Sequence, residues 1–160
     1  MQHRASRSVF VPSANKSVQT LAYGRLAALE SRPIEVKPFS HFHPGSAALT
    51  YSCSSYNLRC CWCQNWHLGR ADPLQAGADY VSPEDLVAMA LRSGDQGLCC
   101  SFTELTLLHK HNLATFPLVK ATGLHTCYVS NGCMTVSTLR ELRDAGLDAI
   151  KIEVKGDAQA

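Results

Sequence analysis

The chain has 160 residues, 46% of them hydrophobic and 18% charged, and a formal net charge of +2 with histidine taken as neutral. That length and apolar content suffice for one packed core and exclude a disordered chain. A charge this close to balance excludes the broad basic field that draws in nucleic acid, so no nucleic-acid partner is expected.

No stretch approaches the roughly 18 consecutive apolar residues of a membrane span, and no membrane association is expected. The eight cysteines cluster in one loop or fall in strand-like runs. A secreted disulfide framework spreads them among short loops instead, so the pattern points to a reducing, cytoplasmic setting. Residues 1–18 are polar and Ser-rich, and a poorly ordered start is expected. Arg4, Arg7, Lys16 and Arg25, with no acid before Glu30, faintly echo a transit peptide. The Val9–Val11 run is too short for a targeting core, so this is read as a frayed terminus.

Thr20 to Glu30 reads as a short strand. Pro33, Pro38 and Pro44 then impose an extended passage that is not helix. Ala47 to Ser52 is the first core strand, and the cysteine run follows it. Beyond a linker over 69–79, strand and helix alternate. Ser82 is an N-cap with Pro83 at the first helical position and Glu84 and Asp85 in the first turn, and Gly94 stops that helix. Gly97–Phe102 is a strand, 104–120 a helix that Pro117 should kink or end early, Leu124–Ser130 a strand, Thr135–Ala145 a helix and Asp148–Val154 a strand.

Such alternation with short loops implies parallel strands. The fold class is therefore α/β: a partial (β/α) TIM-type barrel of about four parallel strands with helices, since a full barrel takes about 250 residues. A short N-terminal extended or β segment over 1–46 precedes the core of 47–160. A half barrel exposes two edges, so either the chain is a fragment or something covers an edge.

Four cysteines fall within eleven residues at Cys53-Ser-Ser-Tyr-Asn-Leu-Arg-Cys60-Cys61-Trp62-Cys63. Thiolates this dense on one loop suit a metal or an iron–sulfur cluster. On spacing, a Cys₃His zinc set of Cys53, Cys60, Cys63 and His67 is open as well. Cys99, Cys100 and Cys127 lie in strands and read as small core residues, and Cys133 lies on a strand-to-helix loop.

Tyr56-Asn-Leu-Arg-Cys60-Cys-Trp62-Cys63-Gln-Asn-Trp resembles the Cys-x-x-x-Cys-x-x-Cys loop of radical S-adenosylmethionine (SAM) enzymes. It is most similar to the AmmeMemoRadiSam system radical SAM enzymes, relatives of pyruvate formate-lyase activating enzymes. Tyr23-Gly-Arg25, Pro33-Ile-Glu-Val-Lys-Pro38 and His41-Phe-His-Pro-Gly-Ser46 resemble the segment before that family's barrel. Ser101-Phe-Thr103-Glu104-Leu-Thr106, Val129-Ser130-Asn131-Gly-Cys-Met-Thr135 and Ile152-Glu153-Val-Lys155-Gly156 resemble its motifs after the second and third strands and in the fourth. The likeness runs from about Tyr23 to Gly156.

The resemblance implies a [4Fe-4S] cluster and S-adenosyl-L-methionine as cofactors. It implies an electron donor of the reduced flavodoxin or ferredoxin type, and an oxidoreductase that cleaves SAM to a 5′-deoxyadenosyl radical acting on an unknown substrate. Cys60 and Cys63 match cluster ligands, and Trp62 matches the aromatic beside the adenine. Thr103 and Glu104 would lie near the cofactor's amino group, while Ser130, Asn131, Glu153 and Lys155 would meet its ribose or carboxylate. Tyr56 stands at the first ligand position, where a phenol is a poor substitute for a thiolate. Cys53 is the expected replacement. Leu105 stands where the family has Pro. The alternative is a catalytically degenerate or truncated relative, or a zinc-binding protein.

Overall fold

The computed structural model describes residues 10–12, 18–72 and 78–156. A short antiparallel pair, β1 (Phe10–Pro12) and β2 (Val18–Thr20), precedes an open five-stranded sheet. That sheet is ordered β3 (Leu26–Pro33), β4 (Ala47–Cys53), β5 (Gly97–Cys100), β6 (His125–Ser130), β7 (Ala149–Ile152). Strands β4 to β7 are parallel, as the alternation predicts, and β3 runs antiparallel to β4. The helices are a single turn, α1 (Trp66–Gly69), then α2 (Pro83–Ser93), α3 (His109–Ala121) and α4 (Val136–Ala145). Most of the expected disordered start lies outside the described residues.

Alternation along the strands divides the core. Leu49, Tyr51, Cys53, Leu98, Cys100 and Tyr128 face α2, α3 and α4, where Leu86, Ala90, Phe116, Val119 and Leu142 complete the main core. Ala48, Cys99 and Cys127 face the other side, under Ile34 and Phe39 of the Pro-rich passage. The cysteines of β5 and β6 are thus buried packing residues, as expected. Tyr51 and Tyr128 take their hydroxyls into the main core. There Tyr51 Oη donates to Asn112 Oδ1 (2.8 Å), and Asn112 Nδ2 donates to Tyr128 Oη (3.4 Å). α3 is thereby hydrogen-bonded to β4 and β6.

Several expectations need correction. The strand expected over 20–30 begins at Leu26 and runs to Pro33, because a turn at 21–24 intervenes after β2. It joins the main sheet, so the segment before residue 47 is continuous with the core through β3 and closes one edge of β4. The passage after Pro33 is not wholly extended, since Ile34–Val36 forms a 3₁₀ turn with Ile34 buried. The helix expected from Glu104 starts instead as a 3₁₀ turn at Leu105–Leu108, because the Glu104 carboxylate accepts from Thr106 N–H and holds Glu104 extended. Pro117 neither ends nor shortens α3, which continues to Ala121 with Thr115, Phe116 and Val119 buried. Packing of that face offsets the roughly 3 kcal/mol that an interior proline costs.

The start of β7 is fixed by Asp148. Its carboxylate accepts from Thr126 N–H (2.9 Å) and from Lys120 Nζ at the end of α3 (2.8 Å to each oxygen), and its own N–H donates to Thr126 Oγ1 (3.0 Å). Partial burial pushes this carboxyl up, but the bonds from Lys120 and Thr126 outweigh it, leaving the pKa below its usual value. Asp148→Asn should lower unfolding free energy at pH 7 by about 1 kcal/mol. A carboxyl depressed by folding stabilises above its unfolded pKa of about 3.9 and stops doing so as pH falls through the folded value. The gap between Asp148→Asn and the unaltered protein in urea titrations should therefore be full above pH 5 and close below pH 4.

Candidate functional site

The residues at the C-terminal ends of the parallel strands form one cleft. β4 ends at Cys53, whose side chain points to the helix side and is fully buried. Ser55, at φ +81°, then turns the chain out of the sheet and donates its N–H to Leu68 O (2.8 Å). The loop over 56–65 closes on itself through Cys63 N–H to Cys60 O (3.3 Å) before α1. Two side-chain amides fasten it. Asn65 Nδ2 donates to Phe102 O after β5 (3.0 Å), and Asn131 Nδ2 after β6 donates to Asn57 Oδ1 (2.9 Å).

The cleft encloses about 480 Å³. Seven of the residues singled out from sequence line it: Cys60, Trp62, Cys63, Thr103, Ser130, Glu153 and Lys155. They come from four separate segments. Trp62 is 65% exposed, its indole standing at the cleft wall without a packing partner that covers it.

Glu104 and Asn131 play a supporting part. Glu104 is fully buried, and its carboxylate accepts from Ser130 Oγ (2.9 and 3.1 Å), Asn131 N–H (2.8 Å), Thr106 N–H (3.2 Å) and Thr106 Oγ1 (2.9 Å). Asn131 is occupied on both sides, since its Oδ1 accepts from Cys133 N–H (2.9 Å) while its Nδ2 holds Asn57. Glu153 accepts from Lys151 (2.7 Å) and from Lys155. Burial pushes the Glu153 carboxyl up, but these two bonds prevail and its pKa lies below the usual value.

Cys53 does not join Cys60 and Cys63. It is the last residue of β4, with Sγ 3.8 Å from Thr103 Oγ1, and burial pushes its thiol up to about 12. Tyr56, at the first ligand position, lines the cleft, and burial with the nearby Glu104 pushes its phenol up to about 12. Both groups are therefore held as the protonated acids, the form that binds metal poorly. Among the described residues, no three His, Cys, Asp or Glu side chains converge closely enough to hold a metal ion. The zinc set with His67 is likewise not assembled: His67 lies on α1, its ring edge-on to Trp66.

Among the cleft residues given no role from sequence, Glu30, Arg32, Val36, Lys37 and Pro38 come from β3 and the turn after it. The signal was present in the run between Pro33 and Pro38.

No family model matches the chain. It is 28% identical over 144 residues to an uncharacterized protein of Methanocaldococcus jannaschii. The match covers 90% of this chain and 42% of that protein, so the chain spans less than half of that relative's length. Among the described residues, no helix is long and apolar enough to cross a membrane.

Two outcomes test the site as built. Native alkylation with iodoacetamide should modify Cys60, Cys61, Cys63 and Cys133 quickly, while Cys53, Cys99, Cys100 and Cys127 react only on unfolding, as read by peptide mass spectrometry. Glu104→Gln sets an amide donor against donors already in place and should cost about 2 kcal/mol of stability by chemical denaturation.

Proposed function

We propose that this chain is a radical SAM protein of the activating-enzyme type, with its cofactor site in the cleft at the ends of β4–β7. One observation carries the reading: residues assigned from four motifs, Cys60, Trp62 and Cys63, then Thr103, then Ser130, then Glu153 and Lys155, line a single cavity. The order β4-β5-β6-β7 with parallel neighbours is also what the first half of a (β/α) barrel requires, with functional groups at the C-terminal ends of its strands. On this reading the finer fold is a partial barrel, with β3 as an antiparallel addition at its first edge.

The site fits SAM better than it fits the cluster. For the nucleoside and amino-acid parts of SAM, the cleft offers an exposed indole for a purine to stack on and the Thr103 and Ser130 hydroxyls. It also has the paired charges Glu153 and Lys155. A [4Fe-4S] cluster would supply the electron for reductive cleavage of the sulfonium. The loop offers two cleft-lining cysteines, Cys60 and Cys63, where a cluster of this kind needs three. Tyr56 fills the remaining position and Cys53 is locked in the core. That shortfall supports a second reading, a degenerate relative that keeps the SAM cleft without the redox chemistry.

Anaerobic incubation with iron and sulfide separates the two. Under the first reading the protein takes up about four irons and shows broad absorbance near 400 nm. A colourless protein with less than one iron per chain removes it. Tyr56→Cys places a thiol at the vacant position and should raise iron content severalfold under the first reading. Retained SAM binding by calorimetry without any iron uptake, even in Tyr56→Cys, leaves the second.

A further inference from the structure

The charged groups lining the cleft are Glu30, Arg32, Lys37, Glu153 and Lys155. Four of them are matched internally. Arg32 Nη2 lies 2.6 Å from Glu30 Oε2, and Lys155 pairs with Glu153, which also holds Lys151. Lys37 is the cation left over. Its side chain is only 5% exposed, and among the described residues it has no carboxylate partner. Its Nζ sits 3.7 Å from the centroid of the Phe102 ring, a favourable cation–π contact, while Glu30 acts on it from beyond ion-pair distance.

The backbone is shaped to put it there. Lys37 closes the 3₁₀ turn by donating its N–H to Ile34 O (3.0 Å), with Ile34 buried beneath the turn. Phe102 adopts φ +74°, a conformation costly for a non-glycine residue, and this carries its ring under the ammonium. A mostly buried ammonium, with the neighbouring carboxylates already taken by other cations, gains from a ligand that supplies the anion.

We propose that Lys37 is the anion anchor of this cleft: its ammonium, seated on Phe102, receives a carboxylate or phosphate of the bound molecule. The proposal goes beyond the cofactor reading and needs no cluster. The oxyanion has two possible sources, the carboxylate of SAM itself or an acidic group on a separate substrate. An arriving anion pairs with the unmatched cation and accepts a charge-assisted hydrogen bond from Nζ in one step. Burial lowers the pKa of Lys37, with Cys99 and Glu30 acting in the opposite sense, and a bound anion raises it.

Reductive methylation with carbon-13 formaldehyde keeps the charge and labels all six lysines. The Lys37 signal is the one missing from Lys37→Met. Sodium phosphate, sodium succinate, SAM and decarboxylated SAM are titrated against sodium chloride at matched ionic strength. The expected result is a saturable shift of the Lys37 signal, and of its titration to higher pH, with at least one oxyanion. Binding should weaken about tenfold or more in Lys37→Met and persist in Lys37→Arg, whose circular dichroism controls for folding. A response to SAM but not to its decarboxylated form assigns the anchor to the cofactor. A response to phosphate or succinate without one to SAM assigns it to a substrate, and holds even where iron uptake fails. The proposal is overturned if no oxyanion moves the signal beyond chloride, or if Lys37→Met binds them as tightly as the unaltered chain.

Discussion

The carboxylate of Glu104 holds the loops after β5 and β6 to one another. It is fully enclosed, and its acceptor capacity is taken up by Ser130 Oγ, the Asn131 N–H and both donors of Thr106. Asn131, fixed in this way, reaches across to Asn57 and holds the cysteine loop, while Asn65 holds it again through Phe102 O. The positions of Cys60, Trp62 and Cys63 therefore rest on a carboxylate that does not itself line the cleft. An uncompensated charge at this depth is costly, and such a network is stable only when complete.

The sheet beneath is built for the same purpose. One face is closed by α2, α3 and α4 through an apolar core, with a polar link from Tyr51 and Tyr128 to Asn112. The other face is covered by the segment that follows β3, so β3 and that segment bring Arg32 and Lys37 to the cleft. The helices thus set the positions of the strands, and the segment before β4 contributes the charged wall. A chain beginning at β4 would have the cysteine loop but only part of the pocket.

Much of this was legible in the sequence because it is local. The period of α2 and its Ser82 cap, the parallel order of β4–β7, and the burial of Cys99, Cys100 and Cys127 all follow from patterns a few residues long. What was missed depends on distant partners. The strand expected up to Glu30 was not expected to reach Pro33 or to pair with the core, because Glu30, Ser31 and Arg32 lack the apolar look of a core strand, yet the edge of β4 recruits it. α3 keeps Pro117 because its far side is packed, which no local propensity reveals. Cys53 seemed to belong with the other thiols by proximity along the chain. The strand's alternation instead sends its side chain into the helix-side core, against Thr103.

The edge strand has a consequence for how the pocket breathes. Because β3 both seals the sheet and leads directly into the turn holding Lys37, the charged wall has no hinge of its own. The edge strand and the Lys37 turn share one backbone, so an anion held at Lys37 would slow amide exchange along 26–33.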